Sequence, residues 1–189
     1  MATNSPQPPG QSVFCLRIQL REVHPVIWRR VLVPGSVRMA KLAYMLIAAM
    51  GWNDTHLHGF RVGQKEYGMH FDDWPEEEID EKTVTVLQAL RDEKRFVFDY
   101  DFGDSWEHDV MVEDLTWSYF GLKYAVVLDG QNACPPDDVG GTYGYADFLE
   151  AIRDPAHEEH DGWIEWVGGS FDPSEFDLAG ANALCQKVR

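Results

Sequence analysis

The chain has few cysteines and no long hydrophobic run. Its three cysteines, Cys15, Cys134 and Cys185, lie far apart and form no CxxC pair. They predict reduced thiols and a cytoplasmic protein rather than a disulfide framework. The longest apolar run, which ends at Met50, is too short to span a membrane, so we expect no membrane association. Residues 1–12 are polar and proline-rich, which predicts a disordered tail rather than a signal peptide.

Basic charge is also scarce. The 189 residues contain 16 Lys and Arg against 32 Asp and Glu, a net charge of −16. Such a chain repels phosphate backbones, so nucleic-acid binding is disfavoured. However, residues 1–50 alone carry +5 and the remainder −21. Two alternatives remain for these basic residues: contact with DNA or an acidic partner, or pairing with acidic groups of the same fold. The candidates for nucleic-acid contact are Arg17, Arg29, Arg30, Arg38 and Lys41.

Hydrophobic patterning predicts strands early in the chain and helices late, without a βαβ rhythm. Ser36 is the expected N-cap of a helix that ends at Gly51, and Thr85 that of a short helix. We predict a single α+β domain over residues 13–189, in which an antiparallel sheet packs against several helices. The predicted strands cover 14–20, 26–33, 57–62, 66–67, 96–102, 106–112 and 124–129. The remaining predicted helices cover 145–153, 157–167 and 177–187, and 72–82 is an acidic connection.

The segment 98–109 is the most informative part of the chain. It joins two alternating strands through Gly103-Asp104-Ser105 and also holds acidic groups, a histidine and large aromatic residues. A turn needs the glycine and one aspartate, but not the rest. This excess predicts a binding surface that also includes the proline- and glycine-rich loop 131–143. Its candidate residues are Tyr100, Asp101, Asp104, Trp106, His108, Asp137 and Asp138.

The same region contains residue types that bind metals. His56 and His58 share a face if that stretch is extended, and imidazole with carboxylate suits zinc, manganese or iron. A bound metal would support hydrolysis through an activated water. Alternatively, the histidines hydrogen-bond carbonyls and Asp104 forms an Asx-turn over Gly103. The candidate ligands of a divalent metal are His56, His58, Asp101, Asp104 and His108, and Asp109, Asp137 and Asp138 are further carboxylates that can complete such a set.

Other chemistry has weaker signals. Asp101-Phe102-Gly103 does not indicate a kinase, because the glycine-rich loop, strand lysine and catalytic-loop motif are missing. Cys134 is either a nucleophile beside a histidine or a buried structural cysteine. The tryptophans and tyrosines line a pocket for a planar ligand or fill the core.

Five motifs occur in a characteristic order: Ile27-Trp28-Arg29-Arg30, Gly51-Trp52 with His56-Leu57-His58-Gly59-Phe60, residues 100–108, residues 134–141, and Phe171-Asp172-Pro173. In this order, over residues 13 to about 185, the chain resembles the plasmid pRiA4b ORF-3-like family. The resemblance implies a compact α+β domain, in some members encoded in or near mobile elements, and no established reaction or cofactor. Some members are labelled resolvase-like. No activated nucleophile or helix-turn-helix supports recombinase activity in this chain.

We therefore expect a non-catalytic binding or adaptor module for a protein or small-molecule partner. One alternative is a metal-dependent hydrolase that uses the His/Asp cluster, in which a divalent metal is the cofactor. A second is a DNA-associated protein that acts through the basic N-terminal segment.

Overall fold

The computed structural model describes residues 10–69, 78–118 and 121–188, which form one eight-stranded sheet and five helices. The predicted α+β class with an antiparallel sheet is confirmed. The strands are β1 Gln11–Leu20, β2 Trp28–Pro34, β3 His58–Val62, β4 Lys65–Gly68, β5 Ile79–Asp80, β6 Arg95–Tyr100, β7 Trp106–Ser118 and β8 Val126–Gln131. The helices are α1 Met39–Met50, α2 Val86–Leu90, α3 Gly141–Arg153, α4 His160–Trp166 and α5 Leu178–Cys185.

The strands follow the order β5-β4-β3-β6-β7-β1-β2-β8, and every neighbouring pair is antiparallel except β4 and β5. The long central strand β1 pairs along its whole length with β7, with Ile18 opposite Val110. The order brings β6 between β3 and β7. As a result, the segment before β3 and the turn after β6 lie at the same end of the sheet.

One face of the sheet forms the core. Alternate residues of β1 and β6 are buried, as their period of two predicted, and α1 is buried along most of its length. Arg29 and Val31 of β2 are buried on this inner face. The outer face is charged: Arg21 and Arg61 both pair with Glu107.

Several local predictions hold. Gly51 ends α1 with a left-handed φ of 111°, and Thr85 caps α2 in a capping box with Gln88. The hairpin of β3 and β4 turns at Gly63-Gln64. The predicted C-terminal helices correspond to α3, α4 and α5, although α3 begins four residues early, at Gly141.

Other predictions were wrong. Ser36 does not cap α1, which begins at Met39; its hydroxyl accepts a hydrogen bond from Gln11 instead. The Met39 N–H donates to the Val84 carbonyl, a tertiary contact that no local pattern encodes. Phe102 lies in the turn after β6 rather than on the buried face of the strand, and is 49% exposed.

The predicted tail and acidic connection fall mostly outside the described residues, which omit 1–9 and 70–77. Gln11 and Ser12 belong to β1, opposite Ser118 and Trp117. Short strand β5, which the sequence pattern did not reveal, pairs in parallel with β4. Within the described ranges, no helix is long and apolar enough to cross a membrane.

Candidate functional site

The turn between β6 and β7 is organised by Asp101. Its Oδ1 accepts hydrogen bonds from the N–H groups of Gly103 and Asp104, at 3.0 and 3.3 Å. Asp101 and Ser105 have left-handed φ angles of 55° and 56°. An Asx-turn is therefore present, but the residue that forms it is Asp101. The alternative drawn from the sequence had assigned this turn to Asp104.

Asp104 joins this turn to the loop before α3. Its Oδ2 accepts a hydrogen bond from the Gly140 N–H, 3.1 Å away and 36 positions later in the chain. Gly141 lies so close that a Cβ there would be 2.6 Å from the Asp104 carbonyl oxygen. Two segments that are distant in sequence are thus packed against each other.

His56 lies between these two segments. Its Nδ1 is 3.6 Å from Asp101 Oδ1, and its Nε2 is 3.4 Å from Asp138 Oδ1. The three residues offer one ligand atom each within 4.8 Å of one another. Asp101 is only 6% exposed, whereas the Asp138 side chain is 75% exposed. We call His56, Asp101 and Asp138 the His56 cluster.

The bend that carries His56 is fastened on both sides. The Trp52 indole donates to the Pro135 carbonyl at 2.9 Å, and the backbone N–H of Asn53 donates to Asp137 Oδ2 at 3.3 Å. The Tyr100 hydroxyl donates to the Asn53 carbonyl at 3.1 Å. Burial raises the pKa of Asp137, which its hydrogen bonds from Asn53 partly oppose.

A cleft of about 480 Å³ opens beside the His56 cluster. Asp54 lies in its wall, and burial raises the pKa of this carboxyl group. Phe102 and Leu57 are partly exposed there. The cleft residues are Tyr44, Asp54, Thr55, His56, Leu57, Met69, Asp101, Phe102 and Gly103.

His58 and His108 lie in the core, apart from this cluster. His58 Nε2 is 3.1 Å from Glu81 Oε1, and both side chains are buried. His108 Nδ1 is 3.0 Å from the Phe98 carbonyl oxygen and donates its proton to it. Burial lowers the pKa of His108 from 6.5 to about 4.

The five predicted metal ligands therefore do not come together as a set. Within the described part of the chain, His56 and Asp101 share a cluster. Its third member is Asp138, which is outside the five predicted ligands but among the further carboxylates that can complete the set. His58 departs because β3 begins at that residue, whereas His56 is in the bend before it. No pattern in the sequence indicated Glu81 as the partner of His58, because Glu81 falls in the predicted acidic connection, which predicts solvent exposure.

The aromatic members of the predicted surface form its floor. Tyr100 and Trp106 are buried, and the Trp52 ring lies 5.1 and 5.9 Å from theirs, measured between ring centroids. This packing follows the core alternative rather than an open aromatic pocket. Burial also raises the pKa of the Cys134 thiol, which opposes formation of a nucleophilic thiolate.

The basic residues of the N-terminal segment are largely engaged within the fold. Arg29 is 1% exposed, so it is not on the surface that DNA contact requires. Its guanidinium donates to backbone carbonyls, including those of Gln131 and Asn132, and packs over the Phe176 ring. Arg30 forms an ion pair with Glu113, and Arg38 donates a hydrogen bond to the Thr83 carbonyl. The Arg17 guanidinium lies over the Trp28 ring, and Lys41 is partly buried.

The fold and the site define a class of small α+β domains in which an open, mostly antiparallel sheet carries a cluster of loops at one end. Residues 12–180 match the family described as plasmid pRiA4b ORF-3-like protein, and the chain belongs to that family. The resemblance expected from the five motifs is thereby confirmed.

Two relatives support this assignment. The chain is 41% identical over 173 residues to the uncharacterized protein y4hQ of Sinorhizobium fredii. This match covers 90% of this chain and 87% of that protein. It is also similar to a crystal structure of a protein of unknown function, MM3350, from Methanosarcina mazei Go1. That likeness has a TM-score of 0.82 and 31% identity, and covers 90% of this chain and 97% of the other.

Proposed function

We propose that this domain is a non-catalytic binding module whose partner is a positively charged protein segment. The observation that carries the proposal is the meeting of the turn 101–105 with the loop 132–143, joined by the Asp104–Gly140 hydrogen bond. We call these two segments, together with the bend 53–57, the loop surface. A partly rigid surface of this kind lowers the entropy cost of binding.

Charge supports a cationic partner. The loop surface presents three aspartates: Asp54 in the cleft wall, Asp138 beside His56, and Asp104 in a second cavity that Tyr143 also lines. The residues after 50 carry a net charge of −21. Complementary charge favours encounter and specificity. Two exposed aromatic side chains, Phe102 and Tyr143, flank these carboxylates, and aromatic faces attract Lys and Arg side chains.

The two alternatives have less support. A metal-dependent hydrolase built on the predicted ligands would need His58 and His108, but both of these side chains lie in the core, away from the His56 cluster. A DNA-associated role is weakened because Arg29 is buried and Arg30 forms an ion pair with Glu113. Cytoplasmic location and a link to mobile elements belong to this proposal as expectations from composition and family resemblance.

Selection from a random peptide library displayed on phage, with the full chain as bait, tests the proposal. We expect enriched peptides to be rich in Lys and Arg. Their affinity should fall at least about tenfold for Asp104→Asn and for Tyr143→Ala, since both change the loop surface. Asp104→Asn keeps an oxygen acceptor for the Gly140 N–H, so it removes charge while preserving the contact.

Matched controls lie on the outer face of the sheet. Asp114→Asn removes one exposed charge there, and Met111→Ala removes one exposed apolar side chain. Both should bind the selected peptides as the wild type does. Enriched peptides without excess positive charge, or equal binding by all four variants, would contradict the proposal.

A further inference from the structure

We propose that the His56 cluster binds a divalent transition-metal ion, a role that goes beyond protein binding by the loop surface. One imidazole and two carboxylates, His56, Asp101 and Asp138, supply ligand atoms within 4.8 Å of one another. Zinc binds nitrogen and oxygen ligands at about 2.0–2.2 Å, so two ligand atoms on one ion lie at most about 4.4 Å apart. The exposed Asp138 side chain needs only a small movement to close this gap.

The burial of Asp101 is the second observation that supports a bound metal ion. This buried carboxylate has His56 as its ion-pair partner among the described residues, and two backbone N–H groups occupy its Oδ1. By contrast, Asp99 and Glu113 on the outer sheet face each pair with an arginine. A buried carboxylate is costly without a compensating cation. A metal ion beside His56 would provide that cation.

The donor types indicate the class of metal. Imidazole nitrogen with carboxylate oxygen suits zinc, manganese or ferrous iron, whereas calcium and magnesium prefer oxygen ligands. Three protein ligands leave at least one coordination position open. The cluster borders the cleft that Asp54 also lines, so the open position has room for water or a ligand atom.

Such an ion would connect three segments of the chain. His56 is in the bend before β3, Asp101 begins the turn after β6, and Asp138 belongs to the loop before α3. Metal binding would therefore hold the loop surface in one arrangement.

Calorimetric titration of Zn²⁺ and Co²⁺ into the chelator-treated full chain tests the site. We expect about one equivalent to bind, with a visible Co²⁺ absorption spectrum. His56→Gln and Asp138→Asn should weaken binding at least about 100-fold, more than loss of an outer-sphere partner does. Asp101 is not substituted, because it also holds the turn.

Two controls match these changes in chemistry. His24→Gln and Asp114→Asn alter an exposed histidine and an exposed aspartate outside the cluster, and should leave metal affinity unchanged. A wild type that binds no metal, or variants of the His56 cluster that bind as tightly as the controls, would overturn the inference. The titration contains no peptide, so its failure leaves the proposed binding module standing, and a failed peptide selection leaves the metal site standing.

Discussion

Single residues differ in this fold mainly by what their polar atoms meet. His56 and His58 are two positions apart, yet one reaches two aspartates at the surface and the other a glutamate in the core. Among the residues that the structure describes, the buried His108 Nε2 has no hydrogen-bond partner. Such groups tie the protonation state to folding, because a buried charge without a partner is costly.

The buried His108 makes stability depend on pH. Its pKa falls from 6.5 to about 4 on folding, so between these values the unfolded chain binds more protons. The neutral His108 therefore contributes fully to the free energy of unfolding above pH 6.5. As the pH falls towards 4, this free energy decreases by up to about 3 kcal/mol.

Urea unfolding of wild type and His108→Phe, at pH 7 and pH 5, measures this effect. The variant should lose less stability between the two pH values than the wild type, and exposed His24→Gln should behave as the wild type. An identical loss in wild type and His108→Phe would contradict the burial of this ring in its neutral form.

His58 and Glu81 should stabilise the fold only when both side chains are present. Their side chains meet at 3.1 Å and are both about 1% exposed. Glu81→Ala leaves the imidazole buried without its partner and should lower the free energy of unfolding by about 3–5 kcal/mol. The double variant His58→Leu with Glu81→Leu should recover most of that loss, as measured by urea unfolding. A single Glu81→Ala variant as stable as the wild type would refute this account.

At the scale of elements, the site depends on how the loop before α3 approaches the turn after β6. Gly141 permits this approach, because it has a φ of 69° and no side chain where it meets the Asp104 carbonyl. The Asp104–Gly140 hydrogen bond and the Trp52–Pro135 hydrogen bond hold the loop on two sides. The geometry of the loop surface therefore rests on backbone contacts as much as on charge.

Gly141→Ala should lower the free energy of unfolding by about 2 kcal/mol or more, through the strained φ and the 2.6 Å contact with Asp104. Gly162→Ala is the matched control. Gly162 lies in α4 with open space around it, so alanine should raise stability by up to about 1 kcal/mol. Thermal unfolding of both variants makes the comparison, and a neutral Gly141→Ala would show that the close approach is not required.

The sequence was informative where the cause of structure is local. Alternation predicted the buried face of β6, and Thr85 with Gln88 predicted the start of α2. It was uninformative where the cause is tertiary: Val84 determines where α1 begins, and pairing with β4 creates β5. In the same way, the excess of polar residues in 98–109 predicted a special turn, but nothing local predicted that His56 would reach Asp138.

For the whole molecule, the distribution of charge separates two surfaces. On the outer face of the sheet, carboxylates meet arginines, as between Arg21 and Asp109 or Arg30 and Glu113. At the loop surface, the ion-pair contacts of Asp101 and Asp138 among the described residues are with the His56 imidazole and not with an arginine. The net charge of −16 is therefore compensated on one surface more than on the other, which directs cations to the loops.

Binding of a selected basic peptide should therefore weaken as salt is added. Between about 0.05 and 0.5 M NaCl we expect a loss of tenfold or more, because the Debye length shortens over this range. Fluorescence anisotropy with a labelled peptide measures the affinity at each concentration. An affinity independent of salt would mean that the carboxylates of the loop surface do not attract the partner.

Hydrogen–deuterium exchange of the full chain, with and without a selected basic peptide, tests the location of the binding surface most directly. The account predicts slower exchange in residues 53–57, 101–105 and 132–143 when the peptide is bound, and little change elsewhere in the sheet. Protection confined to the outer sheet face around Arg30 and Glu113, with none in these three segments, would contradict it.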